Sequence, residues 1–192
     1  AVGGNWIMRE GSATYPFTHP TDGAIVEMTA RNFTLDANAY VKADMRGYER
    51  GYGPGRMDPK TSYIGASHGG KGSWGQSDPN LEARVAPRYG DEKFPRTPGT
   101  GGWGDMSSRY GHTAVPGGGV VYITATSDMT LNGYIGACGT VSAFFAYNTA
   151  GSSGGSICLK ARKLKDGTPT VIAQGGRGNK VNDGGGIGGG GR

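Results

Sequence analysis

"GVVYITATSDMTLNGYIGACG", residues 119–139, decides the fold. Val121, Ile123 and Ala125 alternate with Tyr122 and Thr124, a period of two that places one set on each face of an extended strand. A polar break follows, then a second apolar stretch around Ile135 and Ala137, then glycine. The order recurs in "GAIVEMTARNFTLDANAYVKADMRG", residues 23–47, and in "GSICLKARKLKDGTPTVIAQGG", residues 155–176. There Val26, Met28 and Ala30 alternate with Glu27 and Thr29, and Ile157, Leu159 and Ala161 alternate with Cys158 and Lys160. In the second strands Val41 and Ala43 match Ile135 and Ala137, and match Val171 and Ala173. Ile172 departs from the pattern by pointing outward.

One such unit cannot bury its own apolar face, whereas stacked units can. The repeat therefore predicts an all-β chain. Its expected form is a short parallel β-helix, or β-solenoid, of about three recognisable coils with long glycine-rich loop insertions. The predicted core ladder is Val26, Met28, Val121, Ile123, Ile157 and Leu159. Coils of this kind need only ~20 residues, so residues 48–118 form a major insertion and 140–154 a smaller one, both expected to project from one edge. Within the first, residues 77–87 carry the signals of a short helix, with Ser77 or Asp78 as N-cap and Pro87 as stop. Residues 22–192 read as a single domain. Residues 1–21, with Trp6, Ile7 and Met8, read as an N-terminal extension, a candidate cap or a strand donated to a neighbour.

The chain has 192 residues and a net charge of +5, and 39 of the residues are glycine. Soluble proteins average about 7 % glycine, and each glycine costs backbone entropy on folding. The excess therefore needs a structural use, in positive-φ turns and close packing, with extended polyglycine or polyproline-II packing of "GGKGSWG" and "GGGIGGGGR" as the less favoured option. The charge does not by itself imply nucleic acid. Basic residues concentrate late, at Lys160, Arg162, Lys163, Lys165, Arg177, Lys180 and Arg192. They read as a solvated face or a contact with an acidic polysaccharide or neighbouring subunit. No run approaches the ~18 apolar residues of a membrane span. With Ala1 first and no signal peptide, a processed mature chain or an excised fragment is expected. Cys138 and Cys158 are too few for a disulfide framework, but remain a candidate bridge. Asn32-Phe33-Thr34 is a glycosylation sequon.

The succession "VKADMRGYERGYGPG", "GASHGGKGSWG", "RYGDEKFPRTPGTGG", "GGGVVYITATSDMTLNGYIGACG" and "GSSGGSICLKARKLKDGTPTVIAQGGRG…GGGIGGGGR" resembles a glycine-rich β-helix module of large secreted or surface proteins, mainly bacterial. The resemblance covers roughly residues 22–192, and its motifs are low in complexity. It implies an extracellular structural, adhesive or matrix role, with no catalytic residues to carry over. The module's pattern continues past its glycine run and Arg into another apolar strand, whereas this sequence stops at Arg192; residues 1–21 have no counterpart.

"YIGASHGGKGSWG", residues 63–75, overlaps three enzyme motifs. Ser67 sits in G-x-S-x-G, and the order Ser67, Asp105, His112 permits a triad. A nucleophile elbow needs a helix after the serine, and "GGKGSWGQSDP" cannot begin one. The phosphate loop fails because Gly72 stands where Ser or Thr should hold Mg²⁺, and the dinucleotide fingerprint lacks its helix. The overlap is compositional, and no catalytic residue is assigned. His19, His68 and His112 match no metal spacing. Asp22, Asp36, Asp44 and Asp58 match no Ca²⁺ loop, so Ca²⁺ is unsupported and no cofactor is expected.

The leading expectation is a non-enzymatic extracellular structural protein, secreted or at the cell surface. It would be a self-associating subunit or segment of a surface fibre or matrix, forming a homo-oligomer or filament through uncapped strand edges. No nucleic acid and no membrane insertion are expected. The alternative is a carbohydrate-binding or adhesion module, with Trp74, Trp103, Lys160 and Lys163 as candidate glycan or subunit contacts. The insertion aromatics as a set, Tyr48, Tyr52, Tyr63, Trp74, Tyr89, Trp103 and Tyr110, read more readily as loop packing than as such contacts. A β-helical polysaccharide lyase is the third reading, on fold analogy alone.

Overall fold

A computed structural model describes residues 3–56, 64–74, 83–103, 115–140, 150–178 and 186–192. In chain order the strands are β1 (Asn5–Met8), β2 (Ala13–Thr14), β3 (Ile25–Ala30), β4 (Asn32–Leu35), β5 (Tyr40–Lys42), β6 (Val120–Leu131), β7 (Tyr134–Gly136), β8 (Ser156–Leu164) and β9 (Thr170–Ile172). Among the described residues there is almost no helix. The candidate helix at 77–87 falls mostly outside them.

Two sheets form, and every pairing between named strands is parallel. In the first, β3 and β4 follow one another along one edge of β6. β1 pairs with β4, and β8 pairs with β6. The second runs β2-β5-β7-β9. Residue classes align strand by strand: Val26 opposite Val121 opposite Ile157, and Met28 opposite Ile123 opposite Leu159. A second ladder runs Trp6, Phe33, Met129, Leu164 across all four levels of the first sheet. Val41, Ile135 and Val171 form the matching ladder of the second. The two inner faces meet in one cluster that includes Met28, Phe33, Leu35, Val41, Ile123, Met129, Leu131 and Ile135. Burying one such side chain contributes about 1.5–3 kcal/mol. β1 and β2, both from the N-terminal extension, extend the two sheets at one end.

The expectation of a β-solenoid of about three coils is corrected. The sheets are parallel but curl into a half-barrel within a mixed arrangement, instead of winding as regular coils. A bulge in β6 gives a local reason for the curl. Its register shifts between Ala125 and Asp128 against β8, at the place where β3 stops and β4 begins. The Ser127 amide donates across this gap to the Arg31 carbonyl. An extra residue on one strand bends it and increases its twist. Two isolated antiparallel bridges, His19 with Gly23 and Ile64 with Trp74, add the mixed character.

The insertions also differ from the projecting loops expected, because their described parts are knitted into the body. Gly47 donates to the Gly117 carbonyl, Gly99 to Gly118, Gly118 to Ser153 and Ser153 to Thr100. Gly154 donates to Gly189, Gly189 to Ala66 and Ala66 to Gly151. These segments form no strands, yet their buried amides are paired, as burial requires. Hydroxyls complete the pairing. Ser153 Oγ accepts from the Thr100 amide at 2.7 Å, and Ser152 Oγ from the Thr140 amide at 2.7 Å.

Glycine is required here by contact, not by torsion angle. Gly99 and Gly118 do not have positive φ, but a Cβ on Gly118 would fall against the Ala137 carbonyl and the Gly155 amide. One on Gly99 would meet the carbonyls of Gly154 and Ser153. Overpacking of this kind costs ~1–3 kcal/mol or more when the obstacle is backbone. Gly118→Ala is therefore expected to lower unfolding free energy by at least ~2 kcal/mol. Gly190→Ala, with nothing within 4 Å of the new Cβ, is expected to stay within ~0.5 kcal/mol of the parent. Urea denaturation of the two variants checks this; equal effects would contradict it.

Candidate functional site

The enzyme-like stretch is part of the glycine-rich layer. Ser67 is buried. Its hydroxyl donates to the Ala86 carbonyl at 2.6 Å and accepts from the Gly72 amide at 3.0 Å, so it is used structurally. Its suggested partners Asp105 and His112 lie outside the described residues, as do Asp58, Tyr63 and Tyr110. His68 is also buried. Its Nδ1 lies 2.7 Å from the Gly154 carbonyl, which can only accept, so Nδ1 carries the hydrogen. Nε2, 3.0 Å from Thr97 Oγ1, then accepts from that hydroxyl. Both contacts suit a neutral ring. Burial pushes the His68 pKa down to about 4, opposed by the Gly154 carbonyl and reinforced by Arg192.

The Tyr89 ring packs 4.6 Å from His68. Its hydroxyl donates to the Pro98 carbonyl at 2.6 Å and accepts from Thr100 Oγ1 at 2.8 Å. Burial raises the Tyr89 pKa, so the phenol keeps its proton. Arg192 closes the cluster, donating to the Tyr89 carbonyl at 3.0 Å and pairing with Glu92 at 3.0 Å. This is a buried polar clamp joining segments far apart in sequence.

The other candidates are dispersed. Trp74 is half-buried and packs on Ile64. Trp103 is half-buried, with the Arg50 guanidinium 5.2 Å from its ring centroid. Lys160 lies over Phe94 at 4.7 Å and Tyr122 at 5.1 Å. Lys163 is exposed and opposite Asp128 on β6. The structure brings none of these four into one site. Asn32 is half-buried in β4; its Nδ2 donates to Asn5 Oδ1 at 2.8 Å, and its Oδ1 accepts from the Asp128 amide at 3.1 Å. The candidate bridge is not made: Cys138, two residues past the end of β7, and Cys158, within β8, are both free. Burial raises the Cys138 pKa, which keeps that thiol protonated. Among the described residues no group of three or more His, Cys, Asp or Glu side chains could hold a metal, and no helix is long and apolar enough to cross a membrane.

Two surface features remain; the sequence motifs do not point to the first, whereas the second is an uncapped strand edge of the kind expected. The first is a cleft of about 450 Å³ lined by Tyr15, Tyr40, Lys42, Asp44, Met45, Arg46 and Tyr134. It lies on the outer face of the second sheet. Parallel pairing sets Tyr40 beside Tyr134, with ring centroids 6.3 Å apart. Lys42 pairs with Gly136, which has no side chain. Tyr134 leans into that space and donates to Asp44 Oδ2 at 3.0 Å. Asp44 Oδ1 accepts from the Cys138 amide at 2.7 Å. Burial, and the charge of Asp44, raise the Tyr134 pKa, so the phenol stays a donor. Met45 holds φ 56° at the rim, an uncommon conformation for an unbranched non-glycine residue. The signal in the sequence was the outward half of the alternation, Tyr40 and Lys42 with Tyr134.

The second is the sheet end formed by β8 and β9. Among the described residues each pairs with a single strand, and of β8 only the start is covered, where Ile157 donates to the Arg192 carbonyl. Leu164 is 66 % exposed and Val171 45 % exposed, although both end ladders whose inner members are buried.

No family model matches the chain, and neither do any of the curated proteins or solved structures compared with it.

The clamp generates a pH test. Below about pH 6.5 the unfolded chain takes up a proton at His68 that the folded protein does not accept until about pH 4. The unfolded state then binds more protons, so stability falls as pH drops through that window. At about 1.4 kcal/mol per pH unit the loss is ~3 kcal/mol. His68→Gln is expected to be less stable at pH 7 and to show a shallower decline to pH 4 by urea titration. Parallel curves for the two proteins would contradict the assignment.

Proposed function

We propose that the chain is a non-enzymatic structural unit of an extracellular fibre or matrix that associates end to end through the free edges of its two sheets. One observation carries the reading. The ladder Trp6, Phe33, Met129, Leu164 is buried in the middle and open at both ends, with Trp6 half-buried and Leu164 exposed. All strands run parallel, so a second copy displaced along the ladder presents its β1 edge to β8 in the same polarity. Trp6 of one copy then covers Leu164 of the next, and the contact is heterologous and propagates. Unpaired edges favour such strand addition. Arg162 and Lys163 on β8, and Lys165 just past its end, oppose unselective pairing, since charged edge residues act against aggregation. That favours an ordered assembly over a general one. The burial of Ser67 and His68 in structural hydrogen bonds supports a non-enzymatic reading.

Light scattering after gel filtration and electron microscopy test the proposal. The expected result is concentration-dependent growth into elongated particles. Leu164→Glu and Val171→Glu are expected to return the protein to monomer while unfolding free energy stays within ~0.5 kcal/mol of the parent. A monodisperse monomer at every concentration, or assemblies indifferent to both substitutions, overturns it.

A further inference from the structure

We infer that the tyrosine cleft on the outer face of the second sheet is a binding site for an acidic saccharide, one carrying a carboxylate or sulfate. Three observations lead there. First, the cleft has the size of a small-ligand site, about 450 Å³, within the usual range of roughly 300–1,000 Å³. Second, Tyr15, Tyr40 and Tyr134 line it, and Tyr15 is 56 % exposed. Their ring faces are electron-rich and complement the weakly positive C–H face of a pyranose.

The third observation is charge. The ammonium of Lys42 stands 4.4 Å from the Tyr40 centroid, 5.9 Å from that of Tyr15 and 6.0 Å from that of Tyr134. It occupies the place among the rings that a ligand cation would take, so the cleft is closed to cations and left with an ammonium facing solvent. Among the described residues Lys42 makes no ion pair, and Arg46 has only a 3.5 Å contact to Thr18 Oγ1. Asp44, the one carboxylate in the lining, is turned to the Tyr134 hydroxyl and the Cys138 amide. Two cations without counter-ions therefore share the cleft with one carboxylate that is already hydrogen-bonded. An anionic group on the sugar supplies the missing counter-charge, and the tyrosines supply the platform. Gly136 keeps the arrangement open, since a Cβ there would meet the Tyr134 ring and Asp44 Oδ1.

The site differs from the assembly edge, so the test is run on the monomeric Leu164→Glu form as well as the parent chain. The probe is an array of uronate, sialylated, sulfated and neutral oligosaccharides, followed by calorimetric titration of the strongest acidic hit and of its methyl-esterified or desulfated counterpart. Expected results are hits confined to acidic glycans and at least tenfold weaker binding of the neutralised counterpart. Lys42→Gln and Tyr40→Ala are each expected to weaken binding tenfold or more, with Lys42→Gln also flattening its salt dependence. Urea titration establishes that the variants fold; if Tyr40→Ala does not, Lys42→Gln alone decides. No acidic hit, equal binding of acidic and neutral glycans, or binding that survives Lys42→Gln overturns the inference.

Discussion

The structure depends on backbone lying directly against backbone. At Gly99 and Gly118 the space a Cβ would fill holds the carbonyls of another segment. Six stretches far apart in sequence meet through such contacts and through amide-to-carbonyl bonds, among them Gly99 to Gly118, Gly154 to Gly189 and Ala66 to Gly151. The glycine-rich layer thus does by close approach what side chains do between the sheets. It has a cost, since glycine loses more conformational entropy on folding than any other residue. The hydrogen bonds and the Ser67, His68, Tyr89 and Thr100 clamp offset that cost.

The same layer uses the stretch with the nucleophile-like motif, where Ser67 and His68 are buried in structural hydrogen bonds. Two surfaces among the described residues belong to the sheets. One is an edge, where the ladder from Trp6 to Leu164 has no further partner among the described residues. The other is a face, where outward residues on neighbouring parallel strands converge. Tyr40 and Tyr134 are placed side by side by register alone, and Gly136 leaves the opening into which Tyr134 tilts. The turn that follows β5 completes the lining with Asp44, Met45 and Arg46.

Some of this was open to reading in the residue pattern. The alternation of Val26, Met28 and Ala30, repeated at Val121, Ile123 and Ala125, states which residues share a face, and the ladders align them. The curl was hidden, because a one-residue bulge at Thr126 and Ser127 has no compositional mark among residues that equally suit a strand. It is this bend, together with the knitted glycine segments, that separates the architecture from regular coils. Close packing of the glycines was expected, but which stretches meet was hidden for a deeper reason. Periodicity is a property of side chains, and "GGGIGGGGR" has almost none, so its partners at Ala66, Gly70 and Ala173 could not be inferred. The cleft was legible in part. Tyr40, Lys42 and Tyr134 stand in the outward positions of recognised strands, but Tyr15 joins them only because β2 pairs with β5, and residues 1–21 carried no repeat to announce that pairing.

Amide hydrogen exchange resolved by residue tests most directly whether close glycine packing holds the molecule together. If it does, the amides of Gly99, Gly118, Gly154 and Gly189 exchange as slowly as those of Ile123 and Met129 in β6, through the same cooperative opening. Exchange at those glycines near the rate of an unstructured chain, with β6 still protected, would contradict it and would leave the sheets as the only fold the molecule has.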